Sequence, residues 1–179
     1  MCIEGQIIDR REMKISQWVR IAEKEVCFDP RQPSEIYHSI ILHDYVTMVA
    51  RTPSGMLPIV RQFRPAVEEY TLELPSGLLD SSETPEATCR RELLEETGLE
   101  ARSVVSLGQY FTDTGRLENR LHLFAVETHE PNGDMLCEAG IEVEFVTLKR
   151  LKELIVSGKF AHPMHVAAVL LDELRRNEK

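Results

Sequence analysis

The chain of 179 residues, 42% hydrophobic and 28% charged, is long enough for one domain with a core of its own and lies far from the composition of disordered chains. Its formal net charge of -9 excludes a general affinity for nucleic-acid backbone, which needs a basic stripe to neutralise several phosphates. Any phosphate-bearing ligand must then be met by metal ions and a few placed arginines.

The first residues, MCIEGQIIDRREMK, carry charges where a signal peptide would need an apolar run, and no later stretch approaches a membrane-spanning length. A cytoplasmic protein is expected, without membrane or nucleic-acid partners. Cys2, Cys27, Cys89 and Cys137 are widely spread, with no CxxC pair and no zinc spacing, which suits reduced thiols.

In chain order, residues 14–27 (KISQWVRIAEKEVC) alternate loosely and read as one or two short strands. After the turn-rich DPRQPSE, residues 36–63 read as a strand and then a hairpin about the Pro-Ser-Gly turn at 53–55. YTLELP (70–75) is another strand. Thr84 as N-cap, Pro85 at the first helical position, Glu86 at the positive dipole end and Gly98 as terminator place a helix over 85–97. Strands follow at 103–111, 119–129 and 141–148. Two helices close the chain, the last with Val166, Val169, Leu170 and Leu174 on a helical repeat. Strands interrupted by a few helices suggest a mixed α/β sheet between helical layers.

The helix at 85–97 carries the chemistry. At 100° per residue Glu92, Glu95 and Glu96 share one face, while Ala87, Leu93 and Leu94 point elsewhere and can seal it against a sheet. Such a cluster is ordinarily a solvated acidic face. Carboxylates at i, i+3 and i+4 repel one another unless something positive sits among them, and oxygen-only ligands select Mg²⁺ or Mn²⁺.

The wider pattern favours the metal. Gly77, Glu83, Arg91, Glu92, Leu93, Glu95, Glu96, Gly98 and Leu99 fit G-x5-E-x7-R-E-U-x-E-E-x-G-U, with U apolar, at every specified position. A chance match is on the order of one in a million for a chain of this length. This pattern resembles the Nudix box, and it stands in the strand, loop and helix context which that family requires.

The resemblance implies a Nudix αβα sandwich with a mixed sheet over residues 46–179, and an antiparallel strand extension over 1–45 that serves a homodimer. It makes Glu92, Glu95, Glu96 and the backbone carbonyl of Ser76 metal ligands, with Arg91 holding a glutamate in place. The segment RQFRPAVEEYTLELPSG (61–77) is similar to that of ADP-ribose and related ADP-sugar pyrophosphatases, so Arg64 is expected at the substrate phosphates with Glu73 beside it. Trp18, the one tryptophan, is the candidate for stacking on the base, with a core position as the alternative.

In this family the catalytic base usually lies before a late strand, here CEAGIEVEF. Glu138 is the first choice and Glu142 the fallback, with solvated strand carboxylates as the alternative for Glu142 and Glu144. A proline that the ADP-ribose subgroup often carries downstream of the box is replaced by Thr114, and Arg116 or Asn119 could belong to a different recognition loop. His122, His162 and His165 form no metal spacing and are assigned no chemistry.

The expected activity is Mg²⁺-dependent hydrolysis of a nucleoside diphosphate sugar, ADP-ribose first, giving AMP and ribose 5-phosphate. GDP-mannose, UDP-glucose, dinucleotides and nucleoside triphosphates are alternatives within the hydrolases. A sensor that keeps the fold without turnover is the alternative from another class, and the intact glutamates weigh against it. An RNA cap hydrolase is disfavoured by the acidic balance.

Overall fold

The computed structural model describes residues 5–131 and 138–178. Two compact units divide the chain: residues up to Asp44 with Phe111–Arg120, and Tyr45–Tyr110 with Leu121 onward.

In the first unit, β1 (Gln6–Lys14), β2 (Arg20–Cys27) and β3 (Glu35–Ile41) form an antiparallel sheet in that order. The sequence placed strands only from residue 14 onward. QIIDRREMK is exposed along its whole length, so β1 carries no alternation of buried and exposed positions for a pattern to reveal. The 111–120 segment joins this sheet through Ile40 N–H to the Arg116 carbonyl (2.8 Å) and Glu118 N–H to the Ile40 carbonyl (3.0 Å). Asn119 is buried and spends its side chain internally, accepting from Thr112 Oγ1 (2.8 Å) and donating to the His43 carbonyl (3.2 Å).

The second unit contains β4 (Tyr45–Arg51), β5 (Leu57–Arg64), β6 (Glu69–Glu73), β7 (Ser76–Leu78), α1 (Pro85–Thr97), all but the last residue of β8 (Ala101–Phe111), all but the first of β9 (Arg120–Thr128), β10 (Glu142–Val146), α2 (Leu148–Val156) and α3 (Pro163–Asn177). One sheet runs β7-β4-β9-β8, with β4 and β9 parallel; the other runs β10-β5-β6 and is antiparallel. The expected hairpin at 53–55 is therefore a turn without a ladder. Gly55 N–H closes onto the Thr52 carbonyl at 2.8 Å, but β4 and β5 leave it for different sheets.

Both faces of β4 are buried, as a parallel pair between helical layers requires. Val46, Met48 and Ala50 pack with Cys89 and Leu93 of α1, and with Phe124 and Val126 of β9. Val49 faces the other way, into a cluster with Leu121 and Leu123 of β9, Leu151 and Leu154 of α2, and Ala168 and Val169 of α3. The result is an α/β/α sandwich.

Two helical faces differ from expectation. On α1 the buried residues are Thr88, Cys89, Glu92, Leu93, Glu96 and Thr97, while Ala87 is exposed and Leu94 is 47% exposed. On α3 they are His165, Ala168, Val169 and Asp172, while Leu170 and Leu174 face solvent. Leu93, Val166 and Val169 are inward as expected, but small or polar residues fill the rest of each inward stripe, and Ala87, Leu94, Leu170 and Leu174 lie off it. Among the described residues, no helix is long and apolar enough to cross a membrane.

Candidate active site

Helix α1 is started and stopped by local chemistry. Thr84 Oγ1 accepts the Ala87 N–H at 3.2 Å, Pro85 opens the helix without a donor to satisfy, and Gly98 ends it at φ 69° with its N–H on the Leu94 carbonyl. This fixes the phase of the three carboxylates relative to β7.

Strand β7 holds the opposite wall. A Cβ added to Gly77 would lie 1.9 Å from Glu92 Cδ, so only glycine lets that carboxylate rest on the strand. Ser76 is opposite Thr47 of β4, and Met48 N–H bonds to the Pro75 carbonyl. Antiparallel alternation then turns both backbone polar groups of Ser76 away from β4, and its N–H meets Glu96 Oε2 at 2.9 Å. The Ser76 carbonyl is directed to the same side.

The carboxylates have distinct surroundings. Glu96 is 4% exposed, and burial pushes its carboxyl up to about 8 against the Ser76 N–H, with Glu92 adding to the rise. Glu92 is raised by burial too, opposed by Arg91. Glu95 faces solvent. Arg91 joins them: its Nη1 is 2.8 Å from Glu92 Oε1 and 2.7 Å from Glu95 Oε2, while Nε reaches Glu83 at 3.2 Å. Glu83 also accepts from Thr88 Oγ1, and Arg91 ahead of Thr88 holds its carboxyl low.

Arg64 and Glu73 form a bidentate pair at 2.8 and 2.7 Å, with Thr71 Oγ1 also donating to Glu73 at 2.6 Å. Burial alone would raise Glu73, but Arg64 and Thr71 outweigh it and hold the carboxyl down to about 2. The pair sits within electrostatic reach of Glu96, which Arg64 stabilises in its charged form. Glu138 docks on α1 through its N–H, 2.9 Å from the Glu95 carbonyl, and its charge is felt by both Glu92 and Glu96. Glu142 is turned elsewhere, onto Arg61 at 2.9 Å, with most of its side chain in solvent.

In the first unit, Trp18 is 55% exposed and meets His43 edge-on at 5.8 Å, so the core alternative is excluded for it. Arg116 is exposed and lies over the Tyr37 ring at 4.5 Å. Cys27 and Cys89 are free thiols, with burial pushing Cys89 up to about 12; Cys2 and Cys137 lie outside the described residues.

The sequence assigned nothing to the residues behind the turn. His165 is 1% exposed; its Nδ1 accepts the Leu74 N–H at 3.1 Å, and its Nε2 lies 3.3 Å from both Ser76 Oγ and Thr47 Oγ1. Burial, and then His162 stacked on it at 3.9 Å, lowers it to about 3, so the ring is neutral. Its signal was the spacing 165, 168, 169 and 172, one face of α3 whose members are not large hydrophobics.

Among the described residues no three acidic, histidine or cysteine side chains already converge as a metal cage; Arg91 lies between Glu92 and Glu95. The donor set nonetheless suits a hard divalent ion: it is all oxygen, and two carboxylates are withdrawn from water with raised affinity for positive charge.

A family model for the NUDIX domain matches residues 42–165. The chain belongs to the NUDIX domain family. Within that family, this Nudix chain is 33% identical over 115 residues to an ADP-ribose pyrophosphatase of Bacillus subtilis (strain 168), covering 63% of this chain and 62% of that one. It is 31% identical over 105 residues to a GDP-mannose pyrophosphatase of Yersinia enterocolitica, covering 55% and 54% respectively. The matches thus span between about half and just under two thirds of these relatives' length. The Nudix fold is shared with a crystal structure of an ADP compounds hydrolase at a TM-score of 0.82, 18% identity, and coverage of 98% and 95% of the two chains.

Proposed function

We propose that this Nudix chain hydrolyses the pyrophosphate bond of a nucleoside diphosphate sugar, ADP-ribose before GDP-mannose or UDP-glucose, with a divalent cation as cofactor. The observation that carries the reading is the buried Glu96 carboxyl, held by Ser76 N–H beside Glu92, with the Arg64–Glu73 pair in electrostatic range. A cluster of carboxylates near a guanidinium held by Glu73 suits a diphosphate that arrives with metal. The ADP-ribose and GDP-mannose pyrophosphatases among its relatives support the substrate class.

Glu92, Glu95, Glu96 and the Ser76 carbonyl would hold Mg²⁺, or Mn²⁺ in its place. The bound ion supplies positive charge against the phosphoryl oxygens, lowering the cost of attack. Arg64, oriented by Glu73, binds the diphosphate and fixes its position. Arg91, gripped by Glu83, orients the box carboxylates. Glu138 accepts the proton of the attacking water; the new P–O bond forms as the bridging P–O bond breaks. With ADP-ribose this gives AMP and ribose 5-phosphate. Glu142, engaged by Arg61, is the weaker choice for base.

Trp18 offers an exposed flat ring for the base. The reading includes a cytoplasmic place of action and a homodimer through the 1–45 extension, where Ile7, Ile8, Met13 and Ile15 are exposed. The test is release of phosphate-bearing products from ADP-ribose, GDP-mannose, UDP-glucose, diadenosine polyphosphates and nucleoside triphosphates, with Mg²⁺ and with chelator. Metal-dependent cleavage led by a diphosphate sugar is expected. Cleavage confined to triphosphates would overturn the substrate class, and binding without cleavage would favour a sensor.

A further inference from the structure

We propose that His165 is a positioning residue for the cation site: from α3 it clamps the Leu74–Ser76 turn so that the backbone of Ser76 faces Glu92 and Glu96. This rests on reading those carboxylates as the site of a divalent ion.

The argument begins with protons. A backbone N–H only donates, so the contact from Leu74 N–H leaves His165 Nδ1 bare and puts the ring proton on Nε2. That proton points at Ser76 Oγ and Thr47 Oγ1, both 3.3 Å away. Thr47 Oγ1 donates to Ser76 Oγ at 3.1 Å, and Ser76 Oγ donates to the Leu74 carbonyl at 2.8 Å. The directions are mutually consistent: the Nε2 proton is shared between the two hydroxyl oxygens, and Ser76 Oγ accepts from its neighbours while giving its own proton to the Leu74 carbonyl. The network ties together the turn's backbone, β4 and the first turn of α3.

The place of the turn gives the network its consequence. Leu74 and Pro75 carry the chain from β6, in one sheet, to β7, in the other, where the Met48 N–H holds the Pro75 carbonyl. His165 supplies the acceptor that the Leu74 N–H would otherwise lack, in a site where an unmet donor is costly. His162, stacked on the ring at 3.9 Å with 20° between planes, and Phe160 at 6.3 Å hold the imidazole in one orientation. On the far side of the same residues, Ser76 N–H is bonded to Glu96 and the Gly77 backbone is pressed against Glu92. A shift of the turn therefore moves the proposed carbonyl ligand and both buried carboxylates at once.

The test is Mn²⁺ binding to the metal-free protein, read from loss of the free-ion electron paramagnetic resonance signal. His165→Ala should weaken Mn²⁺ binding about tenfold or more, the usual effect of losing an orienting partner behind a ligand. His165→Gln, whose amide can accept from Leu74 N–H and donate to Ser76 Oγ, should recover most of it. Val169→Ala, a core change on the same helix that lowers the melting temperature but removes no hydrogen bond of the turn, should bind as wild type does. On ADP-ribose the His165→Ala loss should fall on kcat more than KM. If that variant does not fold, Ser76→Ala keeps the backbone carbonyl but removes the hydroxyl, and should bind Mn²⁺ several-fold more weakly. Wild-type affinity in a folded His165→Ala, or in Ser76→Ala, overturns the positioning role alone. A wild-type protein that binds no Mn²⁺ overturns the reading of the carboxylates as well.

Discussion

Glu96 is a carboxylate that the fold holds at a cost. Burial raises its pKa to about 8, and its neutral isostere would relieve that without changing shape. Glu96→Gln should therefore melt no lower than the wild type while turnover on a diphosphate sugar falls by about two orders of magnitude or more; a lower melting temperature would show that the carboxylate stabilises the fold, and wild-type turnover would remove Glu96 from the site. Gly77 behaves in the opposite way. Its Cβ would meet Glu92 Cδ at 1.9 Å, so Gly77→Ala should cost about 1–3 kcal/mol by overpacking and displace Glu92 as well. Thermal melts and rates on the same preparation separate the two, and an unaffected variant would mean that Glu92 is not held by β7. The box spacing names the candidate residues at this scale. Arg91 was expected to hold a glutamate, and it meets Glu95 at the i,i+4 spacing of α1; the contact of His165 with Leu74 across 91 positions was not legible.

Among the elements, one carboxylate reaches all three strands of the β1-β2-β3 sheet. Glu118 is met by Arg10 at 2.9 Å, Lys24 at 2.6 Å and Ser39 Oγ. Burial would raise its carboxyl, but those three bonds outweigh burial and hold it down to about 2. A depressed folded pKa contributes stability that is fully present above the unfolded value, near 4.5, and is lost as pH falls through about 2. The melting-temperature advantage of wild type over Glu118→Gln should thus be largest at pH 6 and shrink steadily towards pH 2. A constant difference across that range would sink the assignment. The elements themselves were unevenly readable. Helix α1 was placed at its observed bounds because its caps are local chemistry. Strand β1 escaped because no position on it is buried, and the β4–β5 turn read as a hairpin because pairing with β9 and β6 is decided by distant residues.

At the scale of the molecule, the sandwich sorts β4 by parity. Even positions pack on α1 and Val49 packs towards α2 and α3, so the strand that carries Thr47 to Ser76 is supported from both sides. This lets β5, β6, β7 and α1 deliver Arg64, Glu73, Ser76 and the glutamates to one place while α3 braces the turn between them. Composition and strand-helix order made the architecture readable. The bracing was not, since it rests on a histidine that looks like ordinary packing in sequence.

The most direct measurement is the hydrolysis of ADP-ribose by the purified chain in Mg²⁺ and in excess chelator, with AMP and ribose 5-phosphate separated and quantified. Equal amounts of the two products in Mg²⁺, and none in chelator, are expected. Cleavage that persists in chelator, or no cleavage of ADP-ribose or any other diphosphate sugar in Mg²⁺ or Mn²⁺, would contradict the central claim.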